Sequence, residues 1–157
     1  MGRIRVRTSI GATPSQVWET VRHIERHVDW MVDAESIRFT SEERSGVGTT
    51  FDCATKVGPL RLTDRMEITE WQPQQAMGVR HSGLVTGEGR FTLTPTGPDS
   101  TGPDNTGSTE FVWEERLVFP WWMGGPIGGV VGGQILRLVW KRNLRALKRT
   151  VESTAPA

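Results

Sequence analysis

The sequence predicts an α+β protein, with a curved seven-stranded antiparallel sheet wrapped around a long C-terminal helix and two short helices after the first strand. Most segments before residue 120 alternate apolar and polar side chains with a period of two, and short turns separate them. Sustained helical periodicity is confined to residues 126–151. Because alternation gives each strand one covered face and one wet face, this helix is the only predicted element large enough to cover the sheet.

The chain begins with a half-buried strand at residues 3–10, in which isoleucine and valine alternate with three arginines. A short helix follows this strand. Thr13 can cap the helix, Pro14 suits its first position, and Gln16 completes a capping box. A second short helix or turn is predicted to end near Met31.

The other six strands are predicted from the same alternation and from the turn residues between them. They lie around residues 37–39, 51–53, 60–69, 77–81, 91–93 and 111–119. Before the last strand, residues 95–108 nearly repeat the tetrapeptide threonine-glycine-proline-aspartate. Such a composition is typical of a mobile hairpin tip and not of a site.

The last helix divides into two halves of different composition. The second half has apolar residues at three- and four-residue spacing, which predicts one buried face. These residues are Ile135, Leu136, Val139, Trp140, Leu144, Leu147 and Val151. The first half has glycine at positions 124, 125, 128, 129, 132 and 133. Since glycine disfavours helix, we expect these positions to serve close packing, to leave space beside the helix, or to let the helix start move.

Composition limits the classes of function. The 157 residues suit one domain, predicted at 1–153 with a tail at 154–157. Nineteen basic residues balance 18 acidic ones, so no nucleic-acid partner is expected, and no apolar stretch suggests a signal peptide or stable membrane insertion. One cysteine excludes an intrachain disulfide and a cysteine-based zinc site. We expect a cytoplasmic monomer or homodimer without cofactor or metal.

Three ionisable residues share the apolar face of their strands. Asp64 alternates in register with leucine and methionine, His81 with methionine and valine, and Glu115 with tryptophan and leucine. The turns between strands predict that they form one polar cluster, with Glu115 approaching Gly87. A histidine beside a carboxylate can act as a general acid or base, can orient a ligand, or can form a structural hydrogen-bond cluster. The sequence leaves these three roles open.

Other candidate site residues carry weaker signals. His23 and His27 are four residues apart, a spacing that could hold a metal, but no carboxylate lies at a recognisable ligand spacing, so we expect surface or rim histidines. Cys53 faces inward and is predicted to be a small buried apolar residue. Trp121 and Trp122 precede the glycine-rich half of the last helix. They could line a pocket mouth, pack in the core or contact a partner, and in the protein-interaction alternative they or the basic residues of the last helix would form the contact surface.

The ordered segments resemble a known superfamily. Ile10–Trp18 reads IGATPSQVW, Asp29-Trp30 follows, Asp64-Arg65 leads to Glu70-Trp71-Gln72-Pro73, and an amphipathic helix closes the chain. This order is similar to the START-like, polyketide cyclase/dehydrase and lipid-transfer superfamily (SRPBCC). The resemblance covers essentially the whole chain. It implies a helix-grip fold with a deep, largely apolar cavity. Because the superfamily has no universal catalytic motif, the resemblance assigns no catalytic residue.

The leading hypothesis is therefore a protein that binds a small hydrophobic molecule (lipid-like, aromatic or polyketide) between the sheet and the last helix. One alternative is a polyketide cyclase or dehydratase that uses His81 with Asp64 or Glu115. Another is a protein-interaction module whose cavity is filled by its own side chains. The predicted ligand-binding residues are Leu62, Asp64, Met66, Met77, Val79, His81, Gly87, Gly89, Phe91, Trp113, Glu115, Leu117, Trp121, Trp122, Leu136, Val139 and Trp140.

Overall fold

The computed structural model describes residues 2–97 and 107–154. The strands are β1 (Gly2–Ile10), β2 (Ala34–Phe39), β3 (Thr50–Val57), β4 (Leu60–Gln72), β5 (Ala76–Ser82), β6 (Thr86–Thr96) and β7 (Ser108–Val118). The α-helices are α1 (Pro14–Val21) and α2 (Gly125–Thr154), and short 3₁₀ helices span Ile24–Asp29 and Trp121–Met123. This element order confirms the predicted α+β class. The centre of the predicted hairpin tip, residues 98–106, and residues 155–157 of the predicted tail lie outside the described residues.

All seven strands form one antiparallel sheet in the order β1-β7-β6-β5-β4-β3-β2. Neighbours in the sheet are neighbours in sequence except for β1, which pairs with the last strand. A bulge in β4 between Ile68 and Glu70 shifts the alternation by one residue. Trp71 thereby reaches the inner face, where its ring meets that of Trp18 edge to face at 5.2 Å.

The start of α1 forms as its sequence predicts. The Thr13 hydroxyl accepts a hydrogen bond from the Gln16 amide at 3.3 Å, and the Gln16 side chain accepts one from the Thr13 amide at 2.9 Å. This reciprocal capping box satisfies two backbone donors at the helix start. It fixes the start of α1 shortly after the end of β1.

Helix α2 covers the sheet through its second half. Trp140, Leu144, Leu147 and Val151 are almost fully buried, as the periodicity predicts. The helix begins one residue before the predicted range and continues three residues beyond it. No helix among the described residues has an apolar stretch long enough to cross a membrane.

A buried asparagine connects α2 to the segment before β2. The Asn143 side chain, which is fully buried, donates to Asp33 Oδ1 at 2.7 Å and accepts from the Val32 amide at 2.9 Å. Buried amides are stable only when they are hydrogen-bonded in this way. The two bonds hold Asp33 at the inner face of the sheet.

Candidate functional site

A cavity of about 370 Å³ lies between the inner face of the sheet and α2. Its wall is mainly apolar and comes from β2 to β7, from the segment before β2 and from α2. The lining also includes Leu60 and Ile135, whose exposures are 41% and 47%. We infer that the cavity opens to solvent there, between the β3–β4 turn and the start of α2. This volume does not fit the alternative of a cavity filled by the protein's own side chains.

Most of the predicted ligand-binding residues lie in the cavity wall. They are Leu62, Asp64, Met66, Met77, Val79, His81, Phe91, Trp113, Glu115, Leu117, Leu136 and Trp140. Strand parity places the ten strand residues of this set on the inner face, because a period of two leaves only two choices of face and the apolar set selects one.

Five predicted residues lie outside the cavity wall, for three reasons. Gly87 and Gly89 face inward but have no side chain with which to line it. Val139 packs against the core beside the cavity. Trp121 and Trp122 are 85% and 56% exposed, because the short helix that carries them projects into solvent and no described residue covers them. The neighbouring Met123 lines the cavity in their place.

Asp64, His81 and Glu115 meet as one cluster in the cavity wall. His81 Nδ1 lies 3.6 Å from Asp64 Oδ2, and His81 Nε2 lies 3.4 Å from Glu115 Oε2. All three side chains are mostly buried, with exposures of 17%, 6% and 6% in sequence order. These separations suit ion pairs and are longer than ordinary hydrogen bonds. We call these residues the carboxylate–imidazole cluster.

Gly89 makes room for the cluster. The strand register places Gly89 directly opposite Glu115, and a Cβ atom at Gly89 would lie 3.0 Å from the Glu115 side chain. The predicted partner of Glu115 was Gly87, which instead pairs with Leu117. This error of two residues arises because a long connection between β6 and β7, unlike a tight turn, does not set the register.

His81 is charged at neutral pH. Burial lowers its pKa, but the flanking carboxylates Asp64 and Glu115 outweigh burial and raise the pKa from 6.5 to about 10. The charged form of the ring is therefore favoured at pH 7. The ring is therefore a poor general base, and its suitable roles are electrostatic stabilisation and positioning.

The cluster is held in place by tryptophans. Trp113 Nε1 donates a hydrogen bond to Glu115 Oε1 at 2.8 Å. The Trp113 ring stacks on Trp140 of α2, with a centroid distance of 4.8 Å and an interplanar angle of 22°. This stack connects the sheet to the helix next to the charged residues. The Glu115 carboxylate is thus oriented by a donor that is itself packed between two elements.

Asp33 and His27 were not among the predicted ligand-binding residues. Asp33 lines the cavity, and its burial raises the pKa of its carboxyl, although the Asn143 hydrogen bond opposes this effect. His27 also lines the cavity and is 6% exposed, so the expectation of a surface or rim histidine is wrong. Both lie in or beside a 3₁₀ segment, where no simple periodicity reports which side chains face inward.

His27 differs from His81 in charge. Burial lowers the pKa of His27 to about 4, so its ring is neutral at pH 7. Its Nε2 atom lies 2.7 Å from the Val21 carbonyl oxygen, which accepts a hydrogen bond from the ring. The ring packs against Trp30 and Phe91, with centroid distances of 5.1 and 6.0 Å. His27 is therefore part of an aromatic wall.

Cys53 and His23 lie in the surroundings that the sequence predicts. Cys53 is buried in the wall, as predicted, and burial raises the pKa of its thiol to about 11. His23 is exposed and lies 3.7 Å from Glu25. Among residues 2–97 and 107–154, no three histidine, cysteine, aspartate or glutamate side chains are placed to hold a metal ion.

Comparison with known proteins agrees with the fold. Residues 1–152 match the family model described as polyketide cyclase / dehydrase and lipid transport. A search of curated proteins finds no significant match.

Several solved structures share the fold at low sequence identity. TTHA0849 from Thermus thermophilus is 16% identical with a TM-score of 0.78, and the alignment covers 99% of this chain and 100% of that one. The Zhui aromatase/cyclase from Streptomyces sp. R1128 is 16% identical with a TM-score of 0.72, with 99% and 96% covered. A START superfamily protein from Mycobacterium smegmatis is 11% identical with a TM-score of 0.71, with 98% and 99% covered. With the family match over nearly the whole chain, the protein belongs to the polyketide cyclase/dehydrase and lipid-transport family.

Proposed function

We propose that this protein binds a small, largely apolar molecule in the cavity between the sheet and α2. The observation that carries the proposal is the cavity itself. Its volume of about 370 Å³ falls within the range of about 300–1,000 Å³ that is typical of small-molecule sites. The mainly apolar wall would drive binding by removing apolar surface from water.

The carboxylate–imidazole cluster would orient the polar end of the ligand. Asp64 Oδ1 is buried and makes no hydrogen bond with the described residues. A buried carboxylate oxygen without a donor is costly, so a ligand donor there would gain a strong, charge-assisted hydrogen bond. We infer a ligand with an apolar body and at least one hydroxyl or other hydrogen-bond donor. Hydroxylated aromatic compounds and polyketides have this character, as do lipids with a free hydroxyl.

A bulky substitution inside the cavity, with a matched substitution outside it, tests the proposal. Leu62 lies in the cavity wall, and the adjacent Thr63 is exposed on the opposite face of β4. Leu62→Trp places an indole in the cavity, while Thr63→Trp places the same group in solvent. The probe is the neutral apolar dye N-phenyl-1-naphthylamine, whose fluorescence rises in an apolar site.

Wild-type protein and Thr63→Trp should bind the dye with equal affinity. Leu62→Trp should bind it at least about tenfold more weakly, equivalent to about 1.4 kcal/mol of lost binding free energy. Circular dichroism would verify that both variants are folded. Equal dye affinity in the two variants would show that the dye binds elsewhere and would remove the support for this cavity as the site.

A second candidate function is cyclisation or dehydration of a polyketide. The observation that favours it is an imidazole in the wall of an apolar cavity, between two carboxylates that favour its charged form, which could stabilise an enolate formed from a carbonyl compound. The similarity in fold to an aromatase/cyclase makes this reaction class the one to test. Incubation with a poly-β-carbonyl thioester should then give a product with a loss of water mass. His81→Gln should abolish this product, and recovery of unchanged substrate from wild-type protein would reject the enzyme.

A further inference from the structure

Five exposed apolar side chains lie on the short helix Trp121–Met123 and on the first half of α2, in the segment whose Met123 and Ile135 line the cavity. Trp121, Trp122, Val130, Val131 and Leu138 are 85%, 56%, 68%, 57% and 64% exposed. We call this group the apolar ridge. Tryptophan is seldom so exposed, and a contiguous apolar surface usually marks a contact with a partner or a membrane.

All charged side chains in residues 121–151 are positive. Residues 121–151 contain no aspartate or glutamate and six lysines or arginines, although the whole chain is nearly neutral. Lys141, Arg142 and Arg145 are exposed. They follow Leu138 at three- and four-residue spacing, so the basic residues continue the outward face of α2 on which Leu138 lies. The outward face therefore changes from apolar at its start to basic towards its end.

This combination points to a lipid surface. We propose that the apolar ridge and the basic residues behind it dock on the surface of a bilayer that contains anionic lipid, without spanning it. Tryptophan is enriched at the headgroup level of membranes, and amphipathic helices with a basic polar face lie in that interface. Anionic headgroups attract lysine and arginine near the surface.

The charge also argues against a second copy of this chain as the occupant. A twofold contact through this face would bring two basic segments together, and facing charges of one sign disfavour such an interface.

The ridge adjoins the cavity opening. Met123 and Ile135 line the cavity and lie within the same stretch of sequence as the ridge. Docking would therefore hold the opening against the bilayer, where apolar molecules partition. This last consequence rests on the proposed ligand binding, whereas docking itself does not.

Vesicle co-sedimentation tests the proposal with two variants and a control. Vesicles of phosphatidylcholine alone are compared with vesicles that also contain phosphatidylglycerol. Trp121→Ala/Trp122→Ala removes part of the ridge, and Lys141→Glu/Arg145→Glu reverses two charges behind it. The matched control is Arg7→Glu/Arg116→Glu, which makes the same change in net charge at exposed positions on the outer face of the sheet.

Wild-type protein and the control should bind the phosphatidylglycerol vesicles, and added salt should weaken binding. The double-glutamate variant at Lys141 and Arg145 should bind at least about tenfold more weakly. The double-alanine variant should also lose affinity and should lose the blue shift of tryptophan fluorescence that accompanies docking.

Absence of wild-type binding, or equal binding by the control and the charge-reversed variant, would overturn the proposal. Self-association that the double-alanine variant abolishes, without vesicle binding, would identify a dimer interface instead. Binding to an acidic protein but to neither vesicle would likewise reject a lipid surface. Dye binding in the cavity is measured separately, so a failure of docking is distinguishable from a failure of ligand binding.

Discussion

His81 determines the charge balance at the polar end of the cavity, because it is the cation between the carboxylates of Asp64 and Glu115. Both of its partners are held by strands, and Glu115 is also held by Trp113. Removal of the ring would leave two buried carboxylates facing each other across an apolar space. The cluster should therefore behave as one unit in which the effects of single substitutions are not additive.

We predict that His81→Ala lowers the free energy of unfolding by about 3 kcal/mol, since breaking a buried ion pair leaves uncompensated charge. The neutral triple variant Asp64→Asn/His81→Gln/Glu115→Gln should be more stable than His81→Ala, although it carries more substitutions. Urea denaturation at pH 7 measures both values. A triple variant less stable than His81→Ala would contradict the charge argument and indicate loss of packing alone.

The raised pKa of His81 also predicts a pH dependence of stability. The folded protein keeps this proton up to pH 10 or so, whereas the unfolded chain releases it near pH 6.5. The stabilisation is thus complete below about pH 6.5 and is lost as the pH rises to about 10.

The raised pKa of Cys53 also makes stability depend on pH, but it does so equally in wild-type protein and in His81→Gln. The difference in unfolding free energy between these two proteins therefore isolates the contribution of His81. Denaturation measured across this pH range should give a steeper decline for wild-type protein. If the unfolding free energies of wild-type protein and His81→Gln fall in parallel with pH, the flanking carboxylates do not raise the pKa of His81.

At the scale of elements, α2 has two halves with different roles. Its second half packs on the sheet through Trp140, Leu144 and Leu147, and its glycine-rich first half borders the cavity. The helix is continuous from Gly125, and the glycines at 129, 132 and 133 face open space. The alternative that these three glycines serve close packing is therefore wrong, while space beside the helix and movement of its start stay open.

Alanine in place of glycine should raise stability in the first half of α2 and lower it at Gly87 in β6. Gly129→Ala and Gly133→Ala should each raise the free energy of unfolding by about 0.5–1 kcal/mol, because alanine favours helix and a Cβ there meets nothing. Gly87→Ala should lower it by about 3 kcal/mol or more, because Gly87 has a φ of +142° and its added Cβ would lie 1.9 Å from the Arg116 carbonyl oxygen. Thermal and urea denaturation measure all three. A destabilised Gly129→Ala would contradict the open surroundings of this helix.

At the scale of the whole molecule, periodicity was enough to predict the architecture. Alternation in β4 and β5 placed Asp64 and His81 on the inner face beside Met66 and Val79, and helical spacing identified the buried Trp140. These predictions succeed because a sheet and one covering helix have few ways to bury their apolar faces. The same alternation predicts which strand residues face inward and which polar residues form the carboxylate–imidazole cluster.

Three features could not be predicted from periodicity. Asp33 and His27 reach the cavity from irregular segments, where side-chain direction depends on tertiary contacts such as those of Asn143. The exposure of Trp121 and Trp122 runs against the usual burial of aromatic side chains and depends on which elements cover them. None of these properties repeats along the chain, so a pattern of fixed period does not report them.

Native mass spectrometry of protein purified from its own host, without added ligand, is the most direct test of ligand binding in the cavity. Wild-type protein and Thr63→Trp should retain a non-protein mass of a largely apolar molecule with a hydrogen-bond donor. Leu62→Trp should be free of it, because its indole occupies the same space. Equal retention by wild-type protein and Leu62→Trp, or no retained mass in any of the three proteins, would contradict ligand binding between the sheet and α2.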